Sequence, residues 1–271
     1  MNAYFGQIEP ITVLKMMPPA PPRTVIELFH LAFLRALMSK AEDKAIFSLK
    51  GGCNLRFYFQ SARYSEAMDL DAIVIAKGTL KNKIDRLMNT PALIAPLLAR
   101  GLSVAEVSAP KQTETTQRWK IGLRSEGQAG IVRTKVEFSR RDAIEGSSFE
   151  AVGKHITQRH DMAPFLAAHY GTRSAISQKI RALANRVEPQ ARDVFDLELL
   201  LYRNDAANLV LAPEEVRVLP RAIDRAMSIS FDEYMAQVVS YLEPEQAELR
   251  ASRTAWDTMQ SNVVNRLQAL S

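Results

Sequence analysis

Cysteine is almost absent from this chain, which has a single one, Cys53, among 271 residues. No disulfide bond can therefore form within the chain. The N-terminus has no signal-like segment, and together these two features favour a reducing cytoplasm. Long apolar runs are absent too, because residues 28–38, the longest, are interrupted by His30 and Arg35. That run is too short and too polar to cross a bilayer, so we expect no membrane association.

Histidine is also scarce, and the four present lack the spacing of a metal-binding motif: they are His30, His155, His160 and His169. His30 is expected on a helix face. His155 and His160 fall in a polar stretch, where contact with a substrate is one interpretation. The net charge of +5 is compatible with a polyanionic partner such as RNA, although many soluble proteins are as basic.

The chain otherwise has the composition of an ordinary globular protein, with 47% hydrophobic and 24% charged residues. Its length suits one large or two modest domains. Prolines are concentrated in residues 1–22, which we predict to be an extended arm that docks on the body or on a partner. A change from alternating to helical patterning predicts a core domain over 23–160 and a helical C-terminal domain over 161–271.

Residues 47–76 organise the chain. They predict a strand, a Gly51-Gly52 turn, a short helix over 54–59, a loop and a second strand that carries Asp69 and Asp71 into the apolar run 73–75. Alternate strand residues share a face, so the two carboxylates project together. Such a pair suits a divalent cation. The alternative is two solvated acids at a strand end.

Three further stretches alternate in the manner of strands, over 103–108, 117–124 and 131–140. They predict a hairpin that extends the sheet, and the whole pattern predicts an α+β fold with a mixed sheet flanked by helices. Glu137 is the only acid of the third run, and cations surround it. It is either a charge pair on a solvated face or a third metal-site carboxylate beside Asp69 and Asp71.

The Gly51-Gly52 turn adds a possible phosphate-binding element to the acidic pair. A turn without side chains lets a phosphate approach backbone N–H groups, and the start of a helix adds a favourable dipole. Sixteen residues separate this turn from Asp69. A triphosphate cradle beside a magnesium site is the minimal equipment for nucleotidyl transfer.

The segments LKGGCNLR and RYSEAMDLD resemble the signature of the AbiEii/AbiGii toxin family of nucleotidyltransferases. A second similarity is YGTRSAISQKIRALANRVEPQARDVFDLELLL, and together the likeness covers roughly residues 25–205. The resemblance implies a polymerase-β-like nucleotidyltransferase core with a helical C-terminal domain. It also implies the toxin of a type IV toxin–antitoxin pair linked to phage defence, with a winged-helix repressor as antitoxin. Related toxins add nucleotides to the 3′ end of tRNA.

By position, the resemblance implies a role for each matching residue. Gly51 and Gly52 would cradle the NTP triphosphate, Asp69 and Asp71 would bind Mg²⁺, and Lys179 would contact triphosphate oxygens. Asp193 would be the acid of the C-terminal domain that faces the nucleotide. Four residues would support these groups: Arg56, Ser65, Arg192 and Asp196.

Four positions depart from the family pattern. Cys53 replaces a usual Thr or Ser, Ala67 a usual polar residue or Asp, and Met68 a usual Leu or Ile, and Glu137 stands where related enzymes more often have Asp or no catalytic residue. Two other functions stay open: an antibiotic-type nucleotidyltransferase acting on a small molecule, and a catalytically weak family member that binds a partner. Without the resemblance, Lys179 and Arg192 are ordinary solvated helix residues. The basic positions Arg173, Lys179, Arg181 and Arg186 form either an RNA-binding helix face or a solvated one.

Overall fold

The computed structural model describes residues 21–270, so nearly all of the predicted N-terminal arm lies outside the described residues. A seven-stranded sheet forms the centre of the first part of the chain. Its strands are β1 (Phe47–Lys50), β2 (Ala67–Ala72), β3 (Leu102–Gln112), β4 (Thr116–Ser125), β5 (Val132–Arg140), β6 (Ser147–Ala151) and β7 (Leu166–Tyr170).

The strand order is β3-β4-β5-β2-β1-β7-β6. The pairs β2–β5 and β1–β7 are parallel, and the other four pairs are antiparallel. The predicted mixed sheet of an α+β fold is therefore confirmed. Six helices flank it: α1 (Pro22–Leu37), α2 (Ala41–Ile46), α3 (Gly51–Tyr58), α4 (Lys77–Leu87), α5 (Pro91–Leu98) and α6 (Lys154–Arg159).

The rest of the chain is helical, as predicted for most of it. The helices are α7 (Thr172–Asn185), α8 (Ala191–Leu201), α9 (Pro213–Met227), α10 (Phe231–Gln237), α11 (Pro244–Arg250) and α12 (Arg253–Gln268), with 3₁₀ turns at Asn204–Ala206 and Val239–Tyr241. In residues 21–270 no helix combines the length and the apolar composition that a bilayer crossing requires.

Two hydrophobic cores follow from this arrangement. One lies between α1, α4, α5 and the inner face of the sheet, where the rings of Phe47, Trp119 and Phe138 meet edge to face. The other lies among the C-terminal helices and also receives Leu55 and Phe59 from the region of α3. Helix α3 therefore packs against both cores, which places its first residues at the junction between them.

Two predictions about strands were wrong. Strand β2 ends at Ala72, because its pairing with β1 and β5 ends there, and Val74 beyond it is exposed to solvent with a positive φ. Residues 166–170, predicted to be helical, form a strand because they pair with β1 and β6. Helix α1 begins at Pro22, whose missing N–H costs nothing at a helix start.

Candidate active site

The turn between β1 and α3 approaches the acidic strand closely. Gly51 has φ +67°, and a Cβ at this position would lie 3.0 Å from Oδ2 of Asp69. A Cβ at Gly52 would lie 2.7 Å from the Ser65 hydroxyl oxygen. Ser65 donates a hydrogen bond to the carbonyl of Ala67, which fixes the start of β2. Both glycines are therefore required sterically, because a side chain would fill the space in front of the acid.

Asp69 lies beside Glu137, since β2 and β5 pair these residues in parallel register. Register partners share a sheet face, so both carboxylates point into the same cleft. Arg118 pairs with Glu137, Nε to Oε2, at 2.5 Å. Within the described residues, no hydrogen bond or ion pair holds the Asp69 carboxylate. Burial raises the pKa of Asp69, the positive charge of Lys50 opposes this shift, and Glu137 adds to it.

Asp71 is on the same strand face but has a different environment. Its carboxylate receives the Lys50 ammonium at 2.5 Å, the Tyr170 hydroxyl at 2.8 Å and the Arg141 Nε at 3.3 Å. The side chain is buried and does not line the cleft that Asp69 enters. Lys50 is thus the ion-pair partner of Asp71, and as the register partner of Asp69 it is only a nearby positive charge for that acid.

Helices α7 and α8 supply the opposite wall. Lys179 on α7 lies 2.9 Å from Asp193 and 2.6 Å from Asp196, both wholly buried on α8. Arg186 pairs with Asp193 at 2.8 Å, and Arg63 pairs with Asp196 at 3.0 Å. Five side chains therefore form a ladder of alternating charge, with its cations reaching the cleft and its acids beneath them.

The ladder keeps Lys179 and Asp196 in their charged forms. Burial alone would lower the pKa of Lys179, but the two aspartates outweigh it and raise the pKa. Burial alone would raise the pKa of Asp196, but Arg63 and Lys179 outweigh it and lower that pKa. Lys179 therefore stays a protonated ammonium and Asp196 a carboxylate near neutral pH.

The cleft between the two walls has a volume of about 300 Å³. Six cationic and three acidic side chains line it, so it favours an anionic ligand. The cations are Arg63, Arg118, Lys135, Lys179, Arg186 and Arg192, the acids are Glu66, Asp69 and Glu137, and Gly51, Gly52, Ser65, Ala67, Gln237 and Tyr241 complete the lining.

Some predicted site residues lie elsewhere. Arg56 is buried away from the cleft, where it pairs with Glu27 at 2.6 Å and donates to the carbonyl of Ser61. Asp193 and Asp196 do not line the cleft and instead anchor its cations. Arg192 does line the cleft, and with it the structure brings together Gly51, Gly52, Ser65, Asp69, Glu137 and Lys179.

The basic positions on α7 do not form one face. Arg173 bonds to the Val210 carbonyl, and Arg181 lies near Glu214 and Glu215 of α9. Lys179 and Arg186 turn to the cleft. Arg173 and Arg181 are thus held by α9 and the residues before it, whereas Lys179 and Arg186 belong to the site.

Cys53, His30 and His160 are buried in contacts outside the cleft, and the exposed His155 does not line the cleft either. Cys53 is buried, and its thiol donates to the Ala67 carbonyl and lies 3.4 Å from His30 Nδ1. Burial raises the pKa of this thiol. His30 was expected on a helix face but is wholly buried, and burial lowers its pKa to about 3. His160 pairs with Glu27 at 2.8 Å, away from the cleft.

Sequence reasoning missed several cleft residues, of which Arg63 and Lys135 are the most telling. Arg63 precedes Ser65 by two positions within the segment that carries Asp69, so its place beside the acids was a usable signal. Lys135 shares its strand face with Glu137, and the alternation of β5 already placed them together. Gln237 and Tyr241 come from the C-terminal helical part, and no spacing connects them with Asp69.

The donor set suits magnesium. Mg²⁺ prefers carboxylate oxygens and takes one or two of them together with water and substrate phosphates. Asp69 offers an oxygen pair with no protein partner among residues 21–270, and Asp71 lies two positions along the same face. Among the same residues, no cluster of three or more His, Cys, Asp or Glu side chains could enclose a metal by itself. The residues therefore fit an ion that shares its coordination with a phosphate substrate.

The chain matches a family of known proteins over most of its length. The model of a family described as "Nucleotidyl transferase AbiEii toxin, Type IV TA system" matches residues 32–268. The chain belongs to this family. AbiEii proteins are nucleotidyltransferase toxins of type IV toxin–antitoxin systems, and the chain shares that classification.

Solved structures show the same fold. The crystal structure of JHP933 from Helicobacter pylori has a TM-score of 0.56 and 18% identity, covering 93% of this chain and 95% of that one. A presumed nucleotidyltransferase from H. pylori has a TM-score of 0.55 and 18% identity, covering 90% of this chain and 95% of that one. No curated protein sequence matches significantly.

Proposed function

We propose that this AbiEii-family chain is a Mg²⁺-dependent nucleotidyltransferase that transfers NMP from an NTP to RNA, with the 3′ end of tRNA as acceptor. It acts as the toxin of a cytoplasmic pair whose antitoxin is a winged-helix repressor. One observation carries the catalytic part of this proposal. The unpartnered Asp69 carboxylate faces the cationic wall of Lys179 and Arg186 across a turn that has no side chains.

Each part of the cleft has a task in this reaction. Asp69 and Asp71 would hold Mg²⁺, which neutralises charge on the phosphates and activates the acceptor hydroxyl. The Gly51-Gly52 turn would offer backbone N–H groups to the triphosphate. Lys179, held by Asp193 and Asp196, would contact the triphosphate oxygens as a fixed positive charge.

The reaction replaces the phosphoanhydride bond between the α- and β-phosphates by a phosphodiester bond to the acceptor. The acceptor 3′-hydroxyl gives up its proton to water and its oxygen bonds to the α-phosphorus, the bond from that phosphorus to the β-phosphate oxygen breaks, and pyrophosphate leaves. Negative charge develops on the leaving group, and a lysine and arginines already in place stabilise it without reorganisation. The excess of cations in the cleft supports RNA over a small uncharged acceptor, because RNA adds its own phosphates to those of the NTP.

The test is a transfer assay with each of the four α-labelled NTPs, Mg²⁺ and deacylated total tRNA. We expect labelled tRNA from the wild type, none from Asp69→Ala, and wild-type amounts from Asp224→Ala, which removes an exposed acid on α9. No transfer by folded wild-type protein with any NTP would rule out the tRNA acceptor. Label on an aminoglycoside instead would establish the antibiotic-type activity.

Growth inhibition tests the toxin assignment separately. Induced wild-type protein should stop growth, and Asp69→Ala should not. Persisting toxicity of a folded Asp69→Ala protein would mean that toxicity arises from binding a partner rather than from nucleotidyl transfer. Co-expression of a winged-helix protein encoded beside the toxin should restore growth, and failure to do so would contradict the assigned antitoxin.

A further inference from the structure

The outer face of β3, β4 and β5 continues the floor of the active-site cleft. Successive side chains of a strand alternate between its two faces, so the side chains of Arg118 and Lys120 on β4 point away from the core, and Gly122 lies on the same face. Trp119 and Ile121 point into it and are buried. The register pairs Arg118 with Glu137, which itself pairs with Asp69. One sheet face therefore runs from the catalytic acid outwards.

This face carries like charges beside one another. Lys120 pairs in register with Lys135, and Lys111 pairs with Arg118. Like charges directly opposite across strands are unfavourable, so the sheet alone does not account for them. Within the described residues, no acid forms an ion pair with Lys111, Lys120 or Lys135, and all three side chains are exposed.

The acids on the same face are already engaged. Glu137 pairs with Arg118, and Glu106 pairs with Arg133 at 2.7 Å. The charge that remains available to a ligand is consequently positive, and it is spread across three neighbouring strands rather than gathered at one point. A polyanion with regularly spaced charges matches this distribution, whereas a single phosphate does not.

A groove connects this face with the cleft. It has a volume of about 320 Å³, and Glu66 and Lys135 line both the groove and the cleft. Lys120 and Gly122 line it, and the side chains of Ile131 and Glu106 lie close over Gly122. With strands about 4.8 Å apart, the path from β2 to β3 is about 14 Å long. A polymer whose end is in the cleft would thus leave across these strands.

The geometry points to this face as the binding surface for the acceptor RNA strand. The single-stranded 3′ end enters the cleft at Asp69, and the nucleotides that precede it cross β5, β4 and β3 over Lys135, Lys120 and Lys111. This inference rests on the proposed function, since it assigns a place to the RNA that receives the nucleotide.

The test uses variants outside the cleft. The full chain with Lys111→Gln and Lys120→Gln is compared with wild type and with a matched control, Lys40→Gln with Lys154→Gln. The control residues are exposed lysines outside the sheet, one at the N-cap of α2 and one at the start of α6. Binding of 5′-labelled deacylated total tRNA is measured by fluorescence anisotropy over a series of salt concentrations.

We expect Lys111→Gln/Lys120→Gln to bind tRNA at least about tenfold more weakly at low salt, with a log–log salt slope smaller by about 1.4, because two phosphate contacts are lost. The control pair should match wild type, and Lys111→Arg/Lys120→Arg should keep wild-type affinity. Stabilisation by NTP with Mg²⁺ should be unchanged in all of them, since the cleft is intact.

The outcomes separate this inference from the proposed function. Wild-type protein that binds tRNA but transfers no nucleotide would refute the transferase proposal, while a reduced salt slope of the double variant would still assign the face to RNA. Wild-type transfer with an unchanged slope in the double variant would overturn the inference alone. Loss of antitoxin binding with normal tRNA affinity would also overturn it and assign the face to a protein partner.

Discussion

At the scale of single residues, two aspartates that the sequence presents as equivalent have different environments. Asp69 enters the cleft with no protein partner among the described residues, whereas Asp71 is buried against Lys50, Arg141 and Tyr170. A carboxylate without a protein partner is available to a metal ion as it stands, whereas one with protein partners also stabilises the fold. The two positions should therefore respond differently to the same substitution.

Asp69→Asn and Asp71→Asn form a matched pair. We expect Asp69→Asn to reduce nucleotidyl transfer by more than about a hundredfold without loss of stability. Asp71→Asn should lower the free energy of unfolding by about 2 kcal/mol, because Lys50 loses a buried counter-ion. Thermal unfolding and the tRNA assay measure both effects. Equal destabilisation by the two substitutions would contradict the assignment of separate roles.

The raised pKa of Asp69 predicts how the stability of the protein depends on pH. The pKa of Asp69 is raised above its unfolded value, so the stability linked to its protonation is present at acidic pH and is lost as the pH rises through the folded pKa. Asp69→Asn removes this loss. We expect the variant to gain stability relative to wild type between pH 4 and neutral pH, measured as a difference in denaturant midpoint; a constant difference across that range would argue against a raised pKa.

At the scale of elements, two junctions shape the cleft: the β1–α3 turn and the pairing of α7 with α8. In the first, a positive φ and a close approach to Asp69 coincide at Gly51. In the second, Asp193 and Asp196 on one face of α8 hold Lys179 of α7. Two acids three positions apart on a helix repel each other, and this is offset here by cations from other elements.

Gly51→Ala tests the turn, and Gly78→Ala on α4 is its control. An alanine at Gly51 would have a strained backbone and a Cβ 3.0 Å from the Asp69 carboxylate, so we expect a loss of about 1–2 kcal/mol in stability and a marked loss of transfer. A Cβ at Gly78 meets nothing within 4 Å, and there alanine should stabilise by about 0.4–1 kcal/mol. Thermal unfolding and transfer rates measure both; normal transfer by Gly51→Ala would show that the turn tolerates a side chain.

Asp196→Ala tests the ladder between the helices. Removing this wholly buried acid leaves Arg63 without its carboxylate and Lys179 with only one, so we expect a loss of about 3–5 kcal/mol. Asp224→Ala, an exposed change on α9, should alter stability by less than about 0.5 kcal/mol. Urea unfolding measures the difference. A small effect at Asp196 would mean that the buried cations find other partners.

At the scale of the whole molecule, the cleft has one wall from each hydrophobic core. Asp69 and Glu137 belong to the sheet, and Lys179 and Arg186 belong to the C-terminal helices. Leu55 and Phe59 from the region of α3 pack into the second core, so the glycine turn is tied to both. A ligand that contacts both walls should stabilise the chain as a unit.

NTP with Mg²⁺ should therefore raise the unfolding temperature of the full chain. At a free ligand concentration of 100 Kd the stabilisation is about 2.7 kcal/mol. The part that depends on Mg²⁺ should disappear on addition of EDTA and in Asp69→Asn, whereas the NTP-only part should remain. Scanning fluorimetry measures the shift. An identical shift in Asp69→Asn would remove Asp69 from the set of metal ligands.

Much of the fold could be predicted because it depends on local patterns. The alternation over β4 and β5 predicted which side chains share a sheet face. Strand β7 was missed because five residues become a strand only when neighbouring strands offer hydrogen bonds. The end of β2 was misplaced for the same reason, since its length depends on where β1 and β5 end.

The sequence by itself determined the chemistry of the site: a Gly51-Gly52 turn, an Asp69-x-Asp71 strand and the Lys179 helix, within a family of nucleotidyltransferases. Spacing along the chain shows that Asp69 and Asp71 share a strand face, and the glycine pair itself marks the turn. Only the tertiary structure decided that Asp69 is open while Asp71 is paired, and that Arg63 joins the cleft while Arg56 does not. Those outcomes depend on charges brought together from distant segments, whose burial and pairing no local spacing encodes.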